Sequence, residues 1–231
     1  MKTYIDRQKV NNRAALANAA SVGGLLLLLA SVLAPLFRQS LASLALALLL
    51  LGGITAMVGI YLANRWVRRP RPEESLDKAL KSFDDSYRLY HYPSLPCDHV
   101  LLTPSGILGL EVVNLAGSFS YRDQRWREAM TIGRALRYLV EPRVGDPAVV
   151  AQALRDELAR WFQERLPSHS VVPVQALTVF THPAVELEIE DAALPAYKLA
   201  KLRKHAVPQG GKLPPALYQE LAAYLERMTL R

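Results

Sequence analysis

A single cysteine, Cys97, stands in a chain of 231 residues. No intramolecular disulfide can form, and a zinc site built on paired cysteines is excluded with it. A glycine-rich phosphate loop is also missing, since Gly210-Gly211 falls between two helical patterns as a turn. Charge is absent from two long stretches: residues 14–37 and 41–63 give 24 and 23 consecutive uncharged, mostly apolar positions. About 20 helical residues cross a hydrocarbon core near 30 Å thick, so each stretch is long enough to span a bilayer; a buried core helix can also be apolar all round, but two adjacent charge-free stretches of this length are rarely that. A cleaved signal peptide is the weaker rival, because the first stretch is too long for one and a second follows it.

Acid is scarce in the same region. Residues 1–69 carry eight of the 28 basic groups and one of the 21 acids, which leaves 20 of each for the remainder. The basic excess is therefore a topology signal and a potential anionic-lipid contact, not the footprint of phosphate binding by the whole chain. Lys2, Arg7, Lys9 and Arg13 precede the first stretch, Arg65, Arg68, Arg69 and Arg71 follow the second, and the connection Phe37-Arg38-Gln39-Ser40 has one base. The positive-inside rule then predicts two spans in the cell membrane with both termini cytoplasmic. Residues 1–69 are expected to be the anchor in the lipid bilayer and residues 70–231 a cytoplasmic domain. The boundary is drawn at Arg68-Arg69-Pro70-Arg71-Pro72, where each proline disfavours helix before it.

Beyond that linker, Leu76, Leu80 and Phe83 recur at helical spacing after Glu73 and Glu74, predicting a short amphipathic helix over 73–83. Alternating, aromatic-rich 87–92 reads as a strand. Residues 98–114 read as a hairpin apolar on both faces, hence central in a covered sheet, and 117–122 as a further strand. Residues 127–145 stay open, with a strand or a helix around 135–140. Asp146 and Pro147 suit an N-cap and first helical position, opening a helix to Leu166 with Val150, Leu154, Leu158, Trp161 and Phe162 on one face. A buried strand over 171–181, a half-exposed one over 185–189, and helices around 197–205 and 214–228 complete an αβββαβ order with a mixed sheet. Gly23, Gly24, Gly52 and Gly53 would let the two apolar helices pack closely.

The hairpin carries the chemistry. With Pro104 and Ser105 as the central turn residues and Gly106 fourth, Asp98 falls opposite Glu111 on one side of the hairpin, with Cβ atoms ~5 Å apart. Bare repulsion disfavours that arrangement, and a shared cation is the usual remedy. Asp98 could instead cap a turn. Glu111 interrupts an otherwise apolar run, where an unpaired buried charge is costly, which marks it as a site residue. His99 alternates to the other face from Asp98 and is expected to be packed or hydrogen-bonded. Among His91, His169, His182 and His205 the sequence shows no cluster.

These residues in this order resemble the nuclease-related domain (NERD) family, thought to belong to the PD-(D/E)XK nuclease-like superfamily. The family pattern opens a helix with Gly-Glu and apolar residues three and seven places later. Glu73, Leu76 and Leu80 fit, with Pro72 in place of the glycine. Asp98-His99, Gly106, Glu111, Asn114 and Gly117 match its Asp-His, turn glycine, Glu-x-Lys-Asn and following glycine. Trp126, Pro147, Gln152 and Phe180 match later landmarks. The lysine of Glu-x-Lys-Asn does not match, because Val113 stands there.

The resemblance implies an α/β fold with a PD-(D/E)XK nuclease-like core after a transmembrane helical hairpin. It implies Mg²⁺ held by Asp98 and Glu111, Glu73 as a further ligand, and Gln152 as a polar helper from the next helix. Read from the residues alone, Glu73 could equally be a first-turn dipole partner and Gln152 structural. Lysine would orient or activate the attacking water and offset charge on the phosphodiester, and valine can do neither. Two functions are expected: metal-dependent nucleic-acid hydrolysis that is weak or lost, or a non-catalytic membrane-tethered module that keeps the fold and binds a nucleic acid or a cytoplasmic protein partner.

Overall fold

The computed structural model describes residues 1–123, 125–130, 144–166, 168, 171–189, 194–207 and 210–230. The segment around 135–140 and His169 lie outside the described residues. The chain divides into two compact units, one of them Arg7–Arg71 together with 131–143, the other containing everything else.

The first unit is a helical hairpin. After strand β1 (Lys2–Ile5), helix α1 (Arg7–Phe37) turns through a single 3₁₀ turn at Gln39–Leu41 into α2 (Ala42–Trp66). Both are long and apolar enough to cross a membrane, and only 11% and 17% of their most apolar windows are buried. A core helix of a soluble protein would be mostly covered. Here Leu25, Leu29, Leu36, Leu46, Leu50 and Ile54 point outward.

What is buried repeats every seven residues: Val10, Ala17, Gly24 and Ser31 on α1, Ala45, Gly52, Gly59 and Trp66 on α2. Small residues let the backbones touch. A Cβ placed on Gly24 would lie 2.5 Å from the Ala56 nitrogen, one on Gly59 2.6 Å from the Ser21 nitrogen, and one on Gly52 2.9 Å from the Leu28 nitrogen. Gly24 and Gly52 thus serve close packing as expected. Gly23 and Gly53 do not, since nothing lies within 4 Å of a Cβ there, and Gly59 takes the third contact.

The second unit is a three-layer α/β domain. Helix α3 (Pro72–Leu80) leads into strands β2 (Arg88–His91), β3 (His99–Thr103), β4 (Gly106–Val113), β5 (Gly117–Arg122) and β6 (Arg125–Glu128). Helix α4 (Pro147–Arg165), strands β7 (Val174–Phe180), β8 (Val185–Ile189) and β9 (Ala196–Lys198), and helices α5 (Leu199–His205) and α6 (Pro215–Thr229) follow. The main sheet is mixed, in the order β1-β2-β3-β4-β7-β9, and β6-β5-β8 form a second sheet. The expected α/β fold with a mixed sheet is present; between α3 and α4 the chain runs β2-β3-β4-β5-β6, of which the first three enter the main sheet and the last two the second, and β4 is central, as its two apolar faces require. Tyr197 departs from expectation: it lies in β9, and the helix begins only at Leu199.

One face of the sheet is covered by α4 and α6 through Leu154, Leu158, Phe162, Leu221 and Leu225. The other is covered by α3 and the α5 segment through Leu76, Leu80 and Leu202. Asp146 caps α4 as predicted, its carboxylate accepting from the Ala148 N–H at 2.9 Å.

The anchor-to-domain boundary expected near residue 69 omits β1. Its parallel pairing with β2, Lys2 against Arg88 through Ile5 against His91, places residues 1–6 in the sheet unit. Tyr4 stacks on Tyr90 with centroids 4.9 Å apart.

Candidate metal and phosphate site

The central hairpin has the register its turn dictates. Thr103 pairs with Gly106, Leu102 with Ile107, Leu101 with Leu108 and Val100 with Gly109. Continued past the last pair, that register sets Asp98 opposite Glu111. Thr103 Oγ1 holds the turn, donating to the Gly106 carbonyl at 2.9 Å and accepting from the Ser105 N–H at 3.2 Å. Beyond the hairpin, the Asp98 carbonyl accepts the Tyr92 N–H at 2.6 Å, and Tyr92 takes the left-handed conformation, φ 58°.

Alternation decides which face the acids share. Ile107 packs with the α4 cluster and a Cβ on Gly109 would meet Leu158 and Leu154, so odd-numbered residues of β4 face α4. Glu111 belongs to that set. It is exposed and Asp98 half-buried, which corrects the expectation of a buried charge: the apolar clusters on that face take up Ile107 before it and Val113 after it, and the carboxylate stands between them at the surface. Burial pushes the pKa of the Cys97 thiol up to about 12, and the charges of Glu111 and Asp98 add a smaller increase. That thiol donates to the His99 carbonyl at 3.1 Å.

Glu73 is only 2% exposed. It comes from α3, on the other face, and accepts the Tyr92 hydroxyl at 2.7 Å, so Tyr92 links it to the Asp98 backbone. The expected dipole partner at the helix start is thus a buried, hydrogen-bonded carboxylate. Gln152 is exposed, one turn beyond Ala148, which packs in the cluster that holds Val113. Val113 itself packs with Phe119 and Phe180.

Three features escape a reading of the sequence. His91 and His99 do form a buried pair, with Nδ1 atoms 2.9 Å apart, and His91 Nε2 lies 3.3 Å from Asp77 Oδ1. One Nδ1 must donate and the other accept, so the pair shares a single proton at that contact. The register His91 to His99 creates it, and no local spacing announces it. Thr178, 2% exposed, pairs beside Glu111 on β7, and its hydroxyl has no hydrogen-bond partner. Tyr92 is the third.

Across 71–181 the chain matches the family model of the nuclease-related domain. Residues 71–181 are a nuclease-related domain. No curated protein and no solved structure matches the chain.

In this domain the paired part of the hairpin ends at Val100 and Gly109, and Asp98 and Glu111 follow just beyond it, half-buried and exposed. Among the domain's described residues no three His, Cys, Asp or Glu side chains are grouped to hold a metal, so Glu73 does not complete a three-acid set. Mg²⁺ ordinarily keeps several waters and takes one or two carboxylates, and the Asp98 and Glu111 pair fits that demand.

Proposed function

We propose that the protein is a membrane-anchored nuclease-related domain of PD-(D/E)XK type, in which Asp98 and Glu111 hold Mg²⁺ and phosphodiester cleavage of nucleic acid is weak or lost. Mg²⁺ bound there would supply Lewis-acid stabilisation of charge on the phosphate. The observation that carries the reading is Val113: the motif's lysine position is occupied by an apolar side chain packed against Phe119 and Phe180. That packing gives the valine a structural role of its own and favours the second reading, a binding module that retains the acids without turnover.

Two spans with both ends on one side of the membrane are supported by the outward-facing leucines and by β1, and the cytoplasmic side by the basic residues that flank the spans. This strand immediately precedes α1 and pairs with β2, which follows α2, and one sheet cannot be shared across a bilayer. Removal of the domain from intact cells by an externally added protease would refute that topology.

The full chain is the proper material for an activity assay, because a fragment starting at residue 70 lacks β1. Incubated with single- or double-stranded nucleic acid and Mg²⁺ or Mn²⁺, it is expected to show little cleavage. Robust cleavage abolished by Glu111→Gln would overturn the assignment of lost catalysis.

A further inference from the structure

Strands β4, β7 and β9 run parallel, and their registers align Val113 with Phe180 and Phe180 with Lys198. In-register neighbours on parallel strands share a face. Lys198 therefore stands on the face of Val113 and Glu111, two strand spacings, or ~10 Å, from the valine. Leu194 and Ala196 confirm the direction by packing with Phe180 and Phe119.

Lys198 borders a cavity of about 250 Å³ lined also by Leu187, Ile189, Leu194, Tyr197, Lys201 and His205. No acid lines it. The carboxylates of β8 alternate away, Glu186 to the Ser118 hydroxyl and Glu188 to the Arg122 guanidinium. His205 is held flat against the Tyr197 ring, centroids 3.7 Å apart. Its pKa is lowered by burial and then by the charges of Lys204 and Lys201, as expected in a positive field. Over 196–205 the sequence has four Lys or Arg and one His with no acid, so positive charge is concentrated on this segment of a domain that is neutral as a whole.

We propose that this cavity is a single-nucleotide subsite, taking a base against Leu187, Ile189 and Leu194 and the adjoining phosphate on Lys198 and Lys201. It rests on the reading of the Asp98 and Glu111 site as one for nucleic acid. A strand laid over the carboxyl ends of β4, β7 and β9 would pass from the acids to the lysines, and Lys198 would supply binding charge that Val113 cannot. The cavity is smaller than the roughly 300–1,000 Å³ of drug-sized sites, so it admits one nucleotide and no duplex.

Fluorescence anisotropy of a labelled single-stranded oligonucleotide, with the full chain in neutral-lipid nanodiscs, tests this. Lys198→Met and Lys201→Met should each weaken binding about tenfold and lower the slope of log K against log salt by ~0.7, the value for one lost phosphate contact on a single strand. Lys198→Arg should keep the affinity, and Lys204→Met, outside the lining, should change it less than about twofold. A melting curve for each variant establishes folding, and Lys198→Gln replaces any variant that does not fold. Unchanged oligonucleotide binding in both methionine variants overturns the proposal. So does Lys198-dependent binding of soluble phosphatidylglycerol in place of the oligonucleotide. Mn²⁺ binding measured on the same samples separates the two readings. Lys198-dependent binding without Mn²⁺ supports this subsite and sinks the metal site, and Mn²⁺ binding without Lys198 dependence does the reverse.

Discussion

Gly106→Ala is expected to lower the melting temperature of the sheet unit by about 10 °C or more, followed by circular dichroism of the full chain in detergent. Gly106 has φ 150°, a region side chains avoid, and a Cβ there would sit 2.4 Å from the Pro173 carbonyl oxygen. That oxygen cannot retreat, because it accepts the Ile107 N–H at 2.8 Å and so ties the hairpin to the start of β7. Strained φ costs about 1–3 kcal/mol and forced overlap about as much again. For a unit of this size each kcal/mol moves the midpoint by about 2–4 °C. Gly210→Ala is the internal control. Its φ of 159° carries similar strain, but nothing lies within 4 Å of the added carbon, so the shift should be clearly smaller. Equal shifts would mean that conformation alone, and not the approach of Pro173, makes glycine necessary in the turn.

The same turn explains why the hairpin was legible in the sequence. Pro104-Ser105-Gly106 fixes a two-residue connection, and once the connection is fixed every cross-strand pair follows, Asp98 against Glu111 included. The N-cap at Asp146 and the central place of β4 were legible for similar reasons, since each depends on a few adjacent residues or on one apolar run. What was hidden depends on distant chain. Whether Glu111 is covered depends on how two separate apolar clusters meet on that face, and the sequence of β4 alone reads as buried. The His91 and His99 pair needs the register of β2 on β3. Strand β1, four residues long, finds its partner more than 80 residues later, and no periodicity over so short a segment could have announced it. Nothing local to Lys198 announces that it stands in line with Val113, because that follows from the pairing of β9 on β7.

Metal binding should disappear from the protein when either acid of the hairpin is neutralised. Calorimetric titration of the full chain with Mn²⁺ is expected to show one weak site, with Kd on the order of 1 mM, as suits two carboxylates and water at an open rim. Asp98→Asn and Glu111→Gln should each abolish it while changing stability by less than ~1 kcal/mol. Glu111 is exposed, Asp98 is half-buried, and the hydrogen bond that anchors Asp98 to Tyr92 uses its backbone carbonyl. Glu73→Gln should behave in the opposite way. Its carboxylate is buried and accepts the Tyr92 hydroxyl; glutamine would put two N–H donors where a carboxylate oxygen now sits, so the change should cost about 1–3 kcal/mol and weaken Mn²⁺ only slightly, since Glu73 reaches the hairpin through Tyr92. Loss of metal in Glu73→Gln with binding retained in Glu111→Gln would move the site to the α3 side of the sheet. Absence of binding in the unaltered protein would leave the facing acids without a cation and favour the module that binds without turnover. The contrast between the three carboxylates is the decisive part: a ligand loses affinity without losing stability, whereas a buried supporting group loses stability first.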